Sequence, residues 1–265
     1  MVDDSGSPVA GAAVYVGGNL PPGPSPVTSS YGAVSTTAAD GSFNVTGVQG
    51  VNSGPNYDPA HMGYTGTWIV VWPKDSALPI YHAARVFANT AVANALGTIT
   101  LVRLSATDLQ AIASMNSYRA SQGSGALYPD EIEAEAARMW AAYVNANPGT
   151  GHSCPTSDPS CVSAQGYENA HGGERGAAEN LGPGSQWSDD IGEYESEAAN
   201  CPQPTQYASC AAYENQEIAN GQLNTVGHWV NLVNPSAVWI GVGSVPDTQP
   251  GGAGAYVYDA EFGGP

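Results

Sequence analysis

Up to about residue 104 the chain alternates short apolar runs with turn residues, and beyond it apolar positions recur three and four apart. Val9 to Val16, Ser42-Phe43-Asn44-Val45-Thr46, Thr67 to Trp72 and Thr98 to Leu104 read as strands, separated by a Pro/Gly/Ser loop over Pro21 to Pro26 and an Asp40-Gly41 turn. That rhythm predicts a small β-sandwich. Ser105 and Asp108 then offer N-cap chemistry for a helix reaching Arg119, which Gly123-Ser124-Gly125 ends. Pro129-Asp130-Glu131 opens a second helix, with Pro in its first turn and carboxylates near the positive end of its dipole. Ile132, Ala136, Met139, Trp140, Tyr143 and Val144 form its predicted core face before Pro148-Gly149 stops it. Trp187, Ile191, Tyr194 and Ala198 fall at helical spacing in an acidic stretch, and Glu197, three residues past Tyr194, shares that side. Tyr213 to Glu217 is a further acidic helical stretch. Thr225 to Gly243 reads as a buried strand led by Gly227-His228, a break at Asn234-Pro235, and a second strand over Val238 to Val242.

The expected fold class is therefore α+β in two domains, 1–104 and 105–265, for which 265 residues are ample. Charge narrows the function. Acidic residues outnumber basic ones 24 to 6, a net charge of −18, so the surface repels phosphate backbones and anionic headgroups and excludes nucleic acid as a partner. The same surface attracts divalent cations. Cys154 with Cys161 and Cys201 with Cys210 stand at loop spacing without a Cys-x-x-Cys metal pattern, which predicts two local disulfides in an oxidising compartment. No run of 18 apolar residues exists, so no transmembrane segment is expected. Met1-Val2-Asp3-Asp4 shows neither a basic nor an apolar leader region, so the expectation for a secreted protein is that its signal peptide has been removed.

Two resemblances add to this reading. Asp4-Ser-Gly6-Ser-Pro8-Val9-Ala-Gly11-Ala12-Ala-Val14, with Thr37-Ala-Ala-Asp40-Gly41-Ser-Phe43 after it, resembles the carboxypeptidase regulatory-like (transthyretin-like) β-sandwich. That likeness implies a non-catalytic accessory module in which His61 and His82 are structural or surface residues. Further on come Asn116-x-x-Arg119, His152-Ser153, Glu179-Asn180-Leu181 in a Gly-rich loop, Trp187 with Ile191, Tyr194 and Glu197, Gly227-His228-Trp229, and Ile240-Gly-Val-Gly243. In this order they resemble the CAP superfamily of cysteine-rich secretory, antigen-5 and pathogenesis-related proteins, with Gly-His-Trp-x-Asn-Leu-x-Asn-Pro closer to its bacterial branch. Ala255 to Gly263 is similar to its closing strand.

The CAP resemblance implies an α-β-α sandwich, a secreted location and a cleft gathering His152, Glu179, Glu197 and His228. Two imidazoles and a carboxylate suit Zn²⁺ or another divalent metal and leave a position open, while the second carboxylate holds an imidazole in one tautomer or polarises a water. Thirty residues separate Glu197 from His228 and carry Glu214, which is the alternative second acid; Glu197 is favoured by its place after Trp187, Ile191 and Tyr194. His171 is expected at the surface. The function implied is a monomeric extracellular binding protein for a small apolar ligand such as a lipid or sterol, or for an extracellular protein or cell-wall component. The alternative is a metal-assisted hydrolase of peptide or cell-wall material, for which the motifs place no nucleophile.

Overall fold

The computed structural model describes residues 1–16, 35–45, 66–72, 81–82, 84–89, 97–171, 178–184, 186–202, 205–220, 226–248 and 256–263. The N-terminal part contains strands β1 (Val2–Asp3), β2 (Ala13–Val16), β3 (Ser35–Thr36), β4 (Gly66–Trp72), β5 (Ala84–Asn89) and β6 (Thr100–Leu101). Among the described residues they form an antiparallel sheet in the order β3-β2-β4-β5 and a parallel pair, β1 with β6. The expected run at 9–16 shrinks to its second half and that at 98–104 to Thr100–Leu101, Ser42 to Val45 form no strand, and β5 is an addition that pairs with β4 throughout. The Pro21–Pro26 loop and His61 lie outside the described residues. Met1, Val9, Val14, Tyr81, Ile99 and Leu101 make a core of their own. Asp3, buried beneath Arg103 at 2.5 Å, also accepts from the amides of Ser5 and Ser7, and these donors hold its carboxyl well below the usual range. His82 is structural: it is buried, its amide donates to the Val102 carbonyl, and loss of solvent pulls its ring pKa down.

The second part is built on helices α1 (Ala106–Ser121), α2 (Glu131–Ala146), α3 (Ala164–His171), α4 (Trp187–Ser196), α5 (Tyr207–Ala219) and α6 (Gly227–Val233). Strands β7 (Tyr128–Pro129), β8 (Ala178–Gly184), β9 (Trp239–Pro246) and β10 (Tyr256–Gly263) form a sheet ordered β7-β9-β10-β8, antiparallel except where β7 joins β9. The helices lie in two layers. Ile240, Val242, Tyr258, Ala260 and Phe262 point to the side of α1, α4 and α6, where they share a core with Ile112, Met115, Trp187, Trp229 and Leu232. The opposite face of the sheet packs on α2 and α3.

Local chemistry explains most of the boundaries. The Ser105 hydroxyl caps α1 by accepting from the Asp108 amide at 3.0 Å, and Asp130 caps α2 by accepting from Ile132 and Glu133, so Pro129 precedes the helix as part of β7. On α2 the buried face is Glu133, Ala134, Ala136, Ala137, Trp140 and Ala141; the expected Ile132, Met139, Tyr143 and Val144 are half-buried at its flank. Small residues dominate there because α2 lies directly on β9. A methyl added to Gly241 would land on the Glu133 and Ala134 backbone, and one on Gly243 would meet the backbone of Ala137 and Arg138.

Two expectations are corrected. Gly227–Val233 is a helix, where a buried strand was expected: its buried residues Trp229, Leu232 and Val233 stand three and four apart, and a short apolar run does not by its periodicity distinguish the two. Glu179, expected in a loop, lies in β8, whose ladder to β10 runs from Ala178 to Gly184 and admits Pro183 because β8 is at the sheet's edge. Both expected disulfides are formed, Cys154–Cys161 and Cys201–Cys210.

The Gly241 contact yields a prediction. Gly241→Ala should destabilise the protein by about 3 kcal/mol, because backbone has to move to admit the methyl. Gly192→Ala, on the exposed side of α4 with open space around it, should be neutral or stabilising by up to about 1 kcal/mol. Denaturant unfolding of the two variants beside the parent measures both.

Candidate functional site

Four separate elements bring the predicted polar residues to one cleft. His152 follows α2 in a turn whose Gly149 and Gly151 have φ of 84° and 68°, conformations that favour glycine. Glu179 projects from β8, Glu197 opens the 3-10 turn Glu197–Asn200 directly after α4, and His228 sits in the first turn of α6. The cleft has a volume of about 600 Å³, and its walls include His152, Glu179 and His228 with Tyr207, Glu214, Ile218 and Val230, while Glu197 stands behind His228.

The four residues form two histidine–glutamate pairs. His152 Nδ1 donates to Glu179 Oε1 at 2.7 Å, and the same oxygen accepts from the Trp140 indole at 3.0 Å. His228 Nδ1 donates to Glu197 Oε1 at 2.8 Å, while Glu197 Oε2 accepts from the Trp229 amide at 3.1 Å. The two imidazole centroids are 6.5 Å apart, and the Tyr194 ring lies 5.0 Å from that of His228. Glu214 is buried in the cleft wall, but the carboxylate bonded to His228 is Glu197. The pairs differ in exposure: the His152 side chain is 44% exposed and that of His228 15%.

These bonds determine which nitrogens remain for other partners. A carboxylate accepts only, so each Nδ1 carries hydrogen and each Nε2 is left with a lone pair. His228 Nε2 is buried and meets no hydrogen-bond partner among the described residues. An orphaned imidazole nitrogen of this kind suits a metal ion or a proton in transit. The quartet itself does not converge as one four-ligand group. Among the described residues the tight set of ligand atoms is formed by Glu179, Asp259 and Glu261, within 4.8 Å of one another.

Three residues to which the sequence reading gave no part in the site hold the pairs in place. The Asn180 side-chain amide donates to the His228 carbonyl at 3.0 Å, and Asn231 donates to both Asn180 Oδ1 and the Glu179 carbonyl, so β8 and α6 are stitched together beneath the cleft. Trp140 fixes Glu179 from α2. The adjacency of Asn180 to Glu179 and the place of Asn231 in the Gly-His-Trp-x-Asn motif were visible signals; Trp140 was read only as part of a core face. His171, expected at the surface, is the last residue of α3, and its side chain lies outside what the structure describes.

A family model described as CAP, the cysteine-rich secretory protein family, matches residues 112–258, more than half of the chain. The chain belongs to this family. A solved structure similar to the CAP protein is that of an extracellular protein containing an SCP domain from Bacillus anthracis str. Ames, with 15% identity and a TM-score of 0.38. That match covers 76% of this chain and 57% of the other, so the chain spans little more than half of that protein's length. No curated protein sequence matches. Among the described residues, no helix is long and apolar enough to cross a membrane.

The Glu179 carboxylate raises the pKa of His152 above the ordinary imidazole value, with burial opposing it. This pairing therefore contributes fully to stability below the unfolded-state pKa and is lost as pH rises through the folded value. Glu179→Gln should bring the His152 titration midpoint down, whereas Glu214→Gln should leave it unchanged, as followed by NMR of the imidazole carbons.

Proposed function

We propose that this CAP protein is a monomeric extracellular binding protein whose cleft takes a divalent transition ion, Zn²⁺ by preference, through the Nε2 atoms of His152 and His228. The observation that carries this reading is His228 itself, with Nδ1 engaged by Glu197 and Nε2 buried without a hydrogen-bond partner among the described residues. In that arrangement Glu179 and Glu197 orient the rings and raise their basicity, as carboxylates behind metal-bound histidines do. Two rings bound to one tetrahedral zinc at about 2.0–2.1 Å per nitrogen have centroids about 5–5.5 Å apart. The observed 6.5 Å is about 1 Å wider, so the two rings close on the ion as it binds.

Ile218, Val230 and the Tyr207 ring give the cleft an apolar wall beside the histidines, which supports a small apolar ligand such as a lipid or sterol as cargo, with an extracellular protein or cell-wall component as the alternative. The two disulfides support an oxidising, extracellular setting. Residues 1–104 act in this reading as a non-catalytic module of the carboxypeptidase regulatory-like kind, with a core of their own and, among the described residues, none in the cleft wall.

Calorimetric titration of zinc into metal-free protein tests the proposal. His152→Ala and His228→Ala should each lose about 100-fold or more in affinity, Glu197→Gln about tenfold, and Glu214→Gln none. Affinity should also fall as pH drops through the imidazole range, since a protonated ring has no lone pair to give. Unchanged zinc affinity in both histidine variants would refute the metal reading. Chelator-sensitive turnover of peptide or glycan substrates, abolished by His228→Ala, would replace binding with hydrolysis.

A further inference from the structure

Strand β10 has a chemistry that the histidine cleft does not use. Its residues alternate between Tyr258, Ala260 and Phe262 on one face and Asp259 and Glu261 on the other, yet both faces are covered: Asp259 is 0% exposed and Glu261 1%. Glu179 stands directly across from Glu261 in the ladder to β8. One carboxylate oxygen from each of Glu179, Asp259 and Glu261 lies within 4.8 Å of the others. Glu168 on α3, 1% exposed, acts electrostatically on both Asp259 and Glu261.

Buried carboxylates ordinarily find donors or cations. Here both oxygens of Asp259, both of Glu168 and Oε1 of Glu261 are buried and, among the described residues, meet no hydrogen-bond donor beyond one another's carboxyls, Glu133 beside Glu168 and the Ala260 backbone beside Asp259. Among the described residues, the ion pairs of Arg103 and Arg138 go to Asp3, Asp4 and Glu135. An acidic cluster alone would say little; the buried oxygens of Asp259 and Glu168, met among the described residues by the neighbouring carboxyls and, for Asp259, the Ala260 backbone, but by no cation, point to something positive among them.

We propose that Glu179, Asp259 and Glu261, with Glu168 beside them, form a second cation site for a hard divalent ion, Ca²⁺ by preference, set behind the histidine cleft. Donor type and burial select the ion. The ligands are all oxygens, which suit calcium or magnesium rather than zinc. Atoms that all lie within 4.8 Å of one another can share either ion. Burial favours calcium, because magnesium dehydrates reluctantly and usually keeps several waters. Glu179 and Glu261 both line the cleft, which provides the way in. The competing solution is a layer of shared protons, since burial pushes the carboxyls of Asp259 and Glu261 well up and that of Glu168 up to about 7.

The full chain, stripped of metal, is titrated with Ca²⁺ by calorimetry and with Tb³⁺ by luminescence. Trp140, hydrogen-bonded to Glu179, is placed to sensitise terbium emission. The expected result is saturable emission displaced by calcium, and an unfolding temperature that rises with calcium concentration. Asp259→Asn and Glu261→Gln should weaken calcium binding about tenfold or more, because each removes ligand charge. Asp259→Asn should leave zinc affinity intact, while His228→Ala should do the reverse, so the two sites succeed or fail separately. If either variant fails to fold, the wild-type titration decides. No calcium heat and no calcium-dependent shift in unfolding temperature would overturn the proposal. So would Asp259→Asn folding with undiminished calcium affinity, or a preference for Mg²⁺ over Ca²⁺.

Discussion

The buried guanidinium of Arg119 is the interaction on which the histidine cleft depends. It lies fully inside the protein, where an uncompensated charge is costly, and meets that cost with backbone carbonyls: Gly125 at 2.7 Å, Leu232 at 2.6 Å, Asn234 at 3.1 Å and Ala237 at 3.2 Å. Burial draws its pKa down to about 10, which still leaves it charged at neutral pH. Leu232 and Asn234 sit at the C-terminal end of α6, where carbonyls lack partners within the helix, and Ser124 serves Val233 in the same way. A seven-residue helix has little stability of its own, so α6 owes its conformation to this anchorage and to its buried face. His228 occupies its other end, and the orientation of that ring is set from across the domain.

The same dependence explains what was legible in the sequence. The order of motifs, the pairing of cysteines, and the likeness of 152, 179, 197 and 228 to one cleft all rest on residues whose identities survive translation into structure directly. The helix at α6 did not, because Trp229, Val230 and Val233 favour a strand locally and the decisive partner, Arg119, is more than a hundred positions away. Its own motif, Asn116-x-x-Arg119, was visible as a pattern, but its purpose was not. Asn116 clamps the Leu127 backbone through both its amide groups, and Arg119 reaches α6.

The acids of β10 illustrate a different limit. Alternation of Tyr258, Ala260 and Phe262 with Asp259 and Glu261 normally signals a sheet with one dry and one wet face. Here α2 and α3 cover the polar face, and no periodicity in β10 alone announces that cover. Glu179 belongs to this layer and to the His152 pair at once, so the side chain that aims one imidazole also borders a group of buried carboxyls.

Gly241 and Gly243 leave β9 without side chains where α2 lies on it, and the helix supplies Ala134 and Ala137 to the same seam. Such a seam restricts how the sequence of this fold can drift over generations. A larger residue at either glycine would lift α2 and with it Trp140, the indole that holds Glu179, so changes at a place with no polar atom of its own would be felt in the cleft. Variation at these two positions is therefore accessible only through paired replacements that shift the helix as a unit, and the path between two such sequences passes through poorly folded intermediates.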